Sequence, residues 1–538
     1  MSAATNISRP SISAPPAISV VASSPLDSAE FRRRVRTISR QAAIYFSGTI
    51  FAAAAGFFLK IYLARVLGAE ALGLYTLGMS IVGFLALFIS AGLPTAATRF
   101  IAEYCGKGEF ARLNAFLRAS LGLLVAANVL LGAGVIWAGP WIALHFYHTP
   151  QLNPYFWLFA MIMFFAVVNT FLGQAMAGYQ DVERRTVVTN FVGAPANILL
   201  AVVFISLGLG LKGYLAAQVA SSLLIMLLLA VSLWKLTPPP ARVASRPARL
   251  EKGVVLFSAS AFGLATIEFL LSQADKIMLG HYLDPRQVGI YALATALVGL
   301  VPIALQSVNQ IFSPVIAELH ATGDRKLLQQ LYAALTKWIV IITLPLVLTF
   351  VMCSHSLIAI FGKGYEAGGA VLIVGAIGQL FNCAVGSVGY LLLMTGNQAQ
   401  LIAIETCNAV LVIGLSIFMI PRFGITGAAV AAAVAVIITN LWSLAAVSRK
   451  LKLFPYNPGY FKLLPAILVS AAVLFGLQHA IPVIHGGWRM VVPATFGAYA
   501  SFLGTLLLFG LDSDDRRLAL LLWNRFGTRF RQNEMMKP

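Results

Sequence analysis

Charge is what this chain has least of. Asp, Glu, Lys and Arg make up 11% of its 538 residues, where a soluble domain carries about 25%. Apolar residues make up 59%, and the mean hydropathy is +0.84. So much apolar surface has only lipid to face, which excludes a soluble domain and makes the chain a polytopic membrane protein. Cysteine is also scarce. Cys105, Cys353, Cys383 and Cys407 are scattered without a CxxC pair, which excludes a disulfide framework and a zinc site of that type. No GxxxxGK[ST] loop is present, so no nucleotide is hydrolysed by a P-loop, and HExxH and GxSxG are absent too. No cofactor is expected. Among the seven histidines, His145 and His148 are three apart in WIALHFYH. That segment carries no Cys or carboxylate, so interfacial placement is the expectation over metal binding.

The net charge of +19 would suggest nucleic acid in a soluble protein. Here the basic residues sit in short loops between apolar runs, which is the signature of topology and of a lipid surface. About fourteen spans are predicted: 41–66, 71–97, 114–138, 154–177, 187–208, 212–235, 253–280, 287–315, 336–360, 367–395, 399–420, 424–448, 460–482 and 488–511. Counting Lys and Arg in the loops places both termini in the cytoplasm. The first forty residues, rich in Ser, Ala and Pro and ending near FRRRVR (Phe31 to Arg36), read as a disordered cytoplasmic tail and not as a cleaved signal peptide.

The chain repeats itself. LKIYLARVLGAEALGLYTL (Leu59 to Leu77) matches DKIMLGHYLDPRQVGIYAL (Asp275 to Leu293) at an offset that brings Lys60 onto Lys276. FIAEYCGKGEFARL (Phe100 to Leu113) parallels VIAELHATGDRKLL (Val315 to Leu328), AGYQ (Ala177 to Gln180) parallels TGNQ (Thr395 to Gln398), and GLKGYLAAQVA (Gly210 to Ala220) parallels GITGAAVAAAV (Gly424 to Val434). Each unit holds six spans, so both enter the bilayer with the same orientation and form parallel repeats about an axis along the membrane normal. The predicted fold is therefore an all-α polytopic membrane protein. An N-lobe (41–235) and a C-lobe (253–448) are joined by a cytoplasmic linker (236–252). Two additional helices (460–511) and a cytoplasmic tail (512–538) follow.

A charge at bilayer depth costs roughly 2.5–3.5 kcal/mol on insertion scales and marks a functional site by default. Lys60 and Lys276 qualify in both repeats. The seventh span is densest, with Glu268, Gln273, Asp275 and Lys276. Glu268, Ser272 and Asp275 are spaced i, i+4, i+7 and so share a helix face. Asp275 and Lys276 point about 100° apart and have Glu405 and Lys60 as candidate partners on other helices. They serve either as ion pairs that lock the lobes or as transport groups. Glu268, Asp275 and Glu405 are the candidate ion-coupling acids. Arg99, in LPTAATRF, is either a phosphate ligand at the inner mouth or an interfacial cation, and Arg65 is its candidate equivalent at the outer mouth. Asn169 and other amides within spans suit sugar hydroxyls or bridge helices. Tyr75 and Tyr291, at equivalent repeat positions, read as packing or interfacial residues.

Two six-helix lobes, two further helices and the segment QADKIMLGHYLDPRQVGIYALATAL (Gln273 to Leu297) together resemble the oligosaccharide flippases of bacterial surface polysaccharide synthesis. These belong to the multidrug/oligosaccharidyl-lipid/polysaccharide exporter superfamily. The resemblance covers roughly residues 35–510. It implies a V-shaped pair of lobes in the cytoplasmic membrane. The implied cargo is an undecaprenyl-pyrophosphate-linked oligosaccharide that passes from inner to outer leaflet by alternating access, with polysaccharide polymerases as possible partners. Its anionic headgroup needs cationic hosts, for which Lys60, Arg65, Arg99 and Lys276 are available, with Asn169 and Gln273 as further substrate-binding candidates. The alternative within the superfamily is a cation-coupled multidrug exporter, and outside it a membrane-embedded glycan polymerase or ligase. First-lobe acids (Glu70, Glu103, Glu109, Asp181, Glu183) all fall at or beyond span ends, a departure from the exporter pattern.

Overall fold

The computed structural model describes residues 28–239, 250–456, 458–480 and 487–509. Among them all regular structure is helical. Apolar residues follow one another without turn signals for the length a bilayer demands, and inside lipid only a helix satisfies every backbone donor and acceptor locally. The first lobe comprises α1 (Ser28–Ser90), α2 (Leu93–Lys107), α3 (Phe110–Trp141), α4 (Phe156–Gly178), α5 (Val182–Thr186), α6 (Ala194–Phe204) and α7 (Gly210–Leu236). The second comprises α8 (Lys252–Tyr282), α9 (Pro285–Val298), α10 (Ile303–Thr322), α11 (Arg325–Met352), α12 (Ser354–Ile358), α13 (Gly368–Val385), α14 (Val388–Met394) and α15 (Gln398–Leu451). The additional pair, α16 (Leu463–Ala480) and α17 (Trp488–Phe509), packs together and against α11 and α12 of the second lobe.

Ten helices among the described residues are long and apolar enough to cross a bilayer, or eleven when α9 and α10, bent by 49°, count as one span. Three of these, 65, 55 and 54 residues long, are each long enough for two passes, which restores the predicted fourteen. The predicted tail 1–40 differs from the structure: the chain is already helical from Ser28, because residues 28–36 lack Pro and Gly and run on into the first span. Residues 1–27, the middle of the linker and the tail 512–538 lie outside the described residues.

The duplication extends to backbone conformation. Gly210 and Gly424, matched in the sequence repeat, adopt φ 53°, ψ −135° and φ 58°, ψ −138°. These are values that a side chain rarely tolerates, and they turn the chain between consecutive passes. Two faces can be distinguished. The linker face holds the ends of α2, α4 and α7 and the start of α8; the apex face holds the break at Gly68 and the α8–α9 junction.

At the apex the lobes meet along α1 and α9 through a self-complementary contact. The backbone of Gly73 lies on the carbonyl of Pro285, and that of Gly289 on the carbonyl of Ala69. Ala69 and Gly73 are the repeat mates of Pro285 and Gly289, so each lobe presents a small-residue step, four residues long, to the other. From there the lobes stay joined down one flank, where Phe84 meets Phe269 at 6.0 Å, Phe88 meets Phe262 at 5.6 Å and Phe100 meets Phe257 at 5.8 Å. On the other flank the first half of α1 packs on its own lobe, with Phe51 stacked on Phe191 at 5.5 Å. Among the described residues no comparable packing joins it to α10. The lobe boundary is thus tightly packed at the apex and along one flank, and sparsely packed between the first half of α1 and α10.

Gly73→Val would force a branched side chain into the Pro285 backbone, and overpacking of this kind costs about 1–3 kcal/mol. The expected result is a melting temperature several degrees lower for the purified protein, with Gly56→Val, whose Cβ meets nothing, unchanged within about 1 °C. Equal melting of both variants would mean that the apex contact is not tight.

Candidate functional site

The break at Gly68 and the end of α8 at Tyr282 set Lys60 and Lys276 two turns or so below the apex, on opposite lobes. The two ammonium groups lie close enough to act on each other electrostatically. Among the described residues neither forms an ion pair. The pairs that do form include Arg40–Glu183, Lys107–Glu103 (2.6 Å), Arg112–Glu109 (2.9 Å), Arg112–Glu251 (3.2 Å) and Arg184–Asp181 (3.2 Å), all at the linker face. Lys276 Nζ donates instead to Gln273 Oε1 at 3.1 Å and to the Ser272 carbonyl at 3.0 Å, which aims it along α8. Lys60 is exposed and Lys276 half-buried. Two like charges without an ion-pair partner raise the local potential at this part of the lobe boundary, where an anion would relieve their repulsion.

Asp275 goes elsewhere. Neither Glu405 nor Lys60 is its partner: Tyr291 Oη donates to its Oδ2 at 2.8 Å, and its own i+1 amide donates to Oδ1 at 2.8 Å. The reason is rotational. One residue from Lys276 is about 100° around the helix, which turns Asp275 into the second lobe while Lys276 faces the seam. There Asp275, Tyr291, Thr295 and Gln379 border a partly open cavity of about 200 Å³ between α8, α9, α13 and α15. Tyr291, expected as a packing residue, is fully buried and chemically engaged. Its recurrence in both repeats was the available signal, because Tyr75 also takes a polar partner, Gln218 Nε2 at 3.4 Å. Glu268, nominally on the face of Asp275, is exposed two turns toward the linker face. Glu405 is half-buried on α15, bonded to Asn408 three residues on.

The remaining candidates separate. Arg65 Nε donates to the Ile360 carbonyl at 2.9 Å, and Tyr365 Oη donates to the Ala64 carbonyl at 3.0 Å. Arg65 thus ties the two lobes together at the apex through its Nε. His281 Nδ1 lies 2.8 Å from the Phe146 carbonyl and its ring 5.8 Å from that of His148, closing the same seam. Arg99 lies at the linker end of the joined flank, its guanidinium 4.7 Å from the Phe257 ring centre on the other lobe. Asn169 is not at the seam: its Nδ2 donates to the Ser222 carbonyl at 2.9 Å inside the first lobe, the bridging role open to such amides. Among the described residues no group of three or more His, Cys, Asp or Glu could hold a metal.

This arrangement has known counterparts. The sequence model of the family described as "Polysaccharide biosynthesis protein" matches residues 38–320. The chain belongs to that family. It is 23% identical over 457 residues to the probable low-salt glycan biosynthesis flippase Agl15 of Haloferax volcanii, covering 83% of this chain and 91% of the relative. It is 28% identical over 233 residues to the teichuronic acid biosynthesis protein TuaB of Bacillus subtilis, covering 41% and 47%. Among solved structures, the lipid II flippase MurJ in an inward closed conformation superposes with TM-score 0.68 at 16% identity, covering 86% of this chain and 98% of that one. An inward-facing multidrug resistance MATE family transporter of the MOP superfamily superposes with TM-score 0.63 at 16% identity, covering 76% and 99%. The fold is that of the superfamily to which the sequence resemblance pointed: a multi-pass helical membrane protein.

Tyr291→Phe would leave Asp275 without its side-chain donor beside the cavity. Loss of a hydrogen bond to a charged group costs about 1.5–3 kcal/mol, so the variant is expected to unfold at a lower temperature than wild type. An unchanged melting curve would show that Asp275 does not depend on Tyr291.

Proposed function

We propose that this protein is a flippase for a lipid-linked oligosaccharide, carrying an undecaprenyl-pyrophosphate-anchored glycan from the inner to the outer leaflet of the cytoplasmic membrane by alternating access. The observation that carries the reading is the pair Lys60 and Lys276, one on each homologous lobe and close enough to repel each other, with neither in an ion pair among the described residues. A pyrophosphate is an anion of at least two charges, and in a low-dielectric cleft it is stabilised by ammonium groups that water would otherwise screen. The sparsely packed boundary between α1 and α10 would let a hydrocarbon tail remain in the bilayer while the headgroup crosses. Family membership and the names of Agl15 and TuaB support the glycan class.

In this reading Asp275 couples transport to a cation. It lies one residue from the substrate lysine and borders a separate cavity, so a cation held there and an anion held at Lys276 would influence each other through α8. Glu268 and Glu405 are secondary acids of the same lobe. Second-lobe acids would also serve a cation-driven multidrug exporter, but the lack of an acid within the first-lobe spans and the unpaired lysines favour an anionic cargo over a cationic drug. Both termini and the linker lie in the cytoplasm, supported by the excess of Arg and Lys at the linker face, and polysaccharide polymerases receive the product. No step of the proposed cycle makes or breaks a covalent bond.

Deletion of the gene is expected to abolish the surface glycan and to leave its lipid-linked precursor on the inner leaflet. Complementation with Lys276→Ala is expected to restore about a tenth of wild-type display or less, given the 1.5–3 kcal/mol of a charged hydrogen bond, and Lys60→Ala somewhat more. Normal display with both variants would remove the lysines from the mechanism. For coupling, Asp275→Asn in proteoliposomes is expected to abolish the dependence of flipping on a sodium or proton gradient. Retention of that dependence would overturn the assignment.

A further inference from the structure

The duplicated scaffold keeps its lysines in both lobes, and the matched acids Glu103 and Glu318 at span ends, but several other charges have diverged. The repeat mates of Asp275, Glu268 and Glu405 are Leu59, Ala52 and Val187, so the acids belong to the second lobe alone. The converse holds for guanidinium groups near the linker face. Aligned through AGYQ and TGNQ, Arg185 stands opposite Ala403 and Gln174 opposite Leu392; aligned through the Ile-Ala-Glu match, Thr98 stands opposite Ser313 and Arg99 opposite Pro314.

These first-lobe residues form one assembly. Arg185 Nη1 donates to Gln174 Oε1 at 3.2 Å. Thr98 Oγ1 lies 3.3 Å from the same oxygen and 3.2 Å from the Gln174 carbonyl. Gln174 thereby joins α5 to α2, the helix that borders the seam. Position 173 is glycine, and a Cβ there would come within 3.1 Å of Arg185 Nε, so the guanidinium lies closely over the glycine and would have to shift by a few tenths of an ångström for a methyl group, and further for a branched side chain. The acids nearest in sequence are taken: Asp181 pairs with Arg184 at 3.2 Å and Glu183 with Arg40. Among the described residues Arg185 has no acidic partner. Thr98, Gln174 and Arg185 are all half-buried, so the cluster is partly shielded from its surroundings and still reachable. One residue further along α2, Arg99 reaches the second lobe. A guanidinium anchored through one nitrogen, with its other N–H groups unspent, is a preformed bidentate host for a phosphate oxygen pair.

We propose that Arg185, positioned by Gln174, Thr98 and the gap at Gly173, forms an entry subsite for a polyprenyl-linked diphosphate at the linker face, distinct from the lysine pair at the apex. The inference rests on the flippase reading and adds a second station to it. The headgroup is first recognised by the guanidinium of the first lobe and then passes toward the apex. Two moderate sites along the path also avoid the trap that a single very tight one would create.

The test uses the full-length protein in phosphatidylcholine nanodiscs, with binding of undecaprenyl pyrophosphate, undecaprenyl phosphate, inorganic pyrophosphate and phosphatidylglycerol followed by native mass spectrometry. Wild type is expected to prefer undecaprenyl pyrophosphate. Arg185→Gln and Gly173→Val are each expected to weaken that binding roughly tenfold or more, with Arg185→Lys between them and wild type. Arg184→Gln, whose arginine is already paired, is expected to bind as wild type does. If Arg185→Gln fails to fold, Arg185→Lys and Gly173→Val carry the test. Unchanged affinity in the folded Arg185 and Gly173 variants would overturn the subsite, as would an equal loss with Arg184→Gln. A preference for phosphatidylglycerol or free pyrophosphate over the polyprenyl diphosphate, sensitive to Arg185, would reassign the site to generic anions and overturn it too. If wild type binds no polyprenyl diphosphate at all while folded, the flippase reading itself falls, an outcome separable from failure of the Arg185 variants alone.

Discussion

An ammonium group at bilayer depth has no neutral ground: it is paired, hydrated or expelled. Lys60 and Lys276 have no acid, and they face each other. In the proposed flippase cycle, water between the lobes would make them tolerable, so separation of the lobes on one flank is a condition of having these charges. The apex contact, the joined aromatic flank and the open flank can all be understood as the shape that solvates two lysines without exposing the rest of the interior.

The same shape defines what moves. At the apex, two helix steps related by the repeat meet backbone to backbone through Gly73 and Gly289. Around them Arg65, Tyr365 and His281 hold the seam with single hydrogen bonds to carbonyls of the opposite lobe. Such bonds exchange readily for water once the lobes part, and each contributes about 1 kcal/mol net. On the joined flank the contacts are ring against ring and ring against guanidinium, which tolerate rocking better than interlocked polar networks do. A tight but narrow closure at one end and a soft hinge along one side are the mechanical requirements for alternating exposure of a central site.

Duplication gave the protein two equivalent lobes, and substitution then gave them different electrostatics. Acids accumulated in the second lobe, where Asp275 lies beside a cavity of about 200 Å³. Unpaired guanidinium accumulated at the linker face of the first. In a medium of low dielectric their placement matters, because opposite charges that reach each other pair and are lost to any ligand; Asp275 and Lys276, neighbours in one lobe, take other partners instead.

Much of this was legible along the chain. Bilayer depth determines span length, so fourteen passes followed from apolar run lengths, and the duplication followed from Lys60 and Lys276 in matched surroundings. Resemblance on those residues identified the superfamily. What one dimension does not carry is rotation about a helix axis and the meeting of helices distant in sequence. Asp275 and Lys276 are neighbours in the chain, yet one turns into a lobe toward Tyr291 and the other toward the seam. Arg65, an outer-ligand candidate by position, ties the lobes together through the Ile360 carbonyl, far along the chain. Arg185 looked like one more cytoplasmic arginine until α2, α4 and α5 brought Thr98, Gln174 and Gly173 around it. The sequence by itself determined the architecture, because hydrophobicity and repetition are properties of the order of residues. Only the tertiary structure decided which charges remain free, because pairing depends on distances between groups the chain order does not place together.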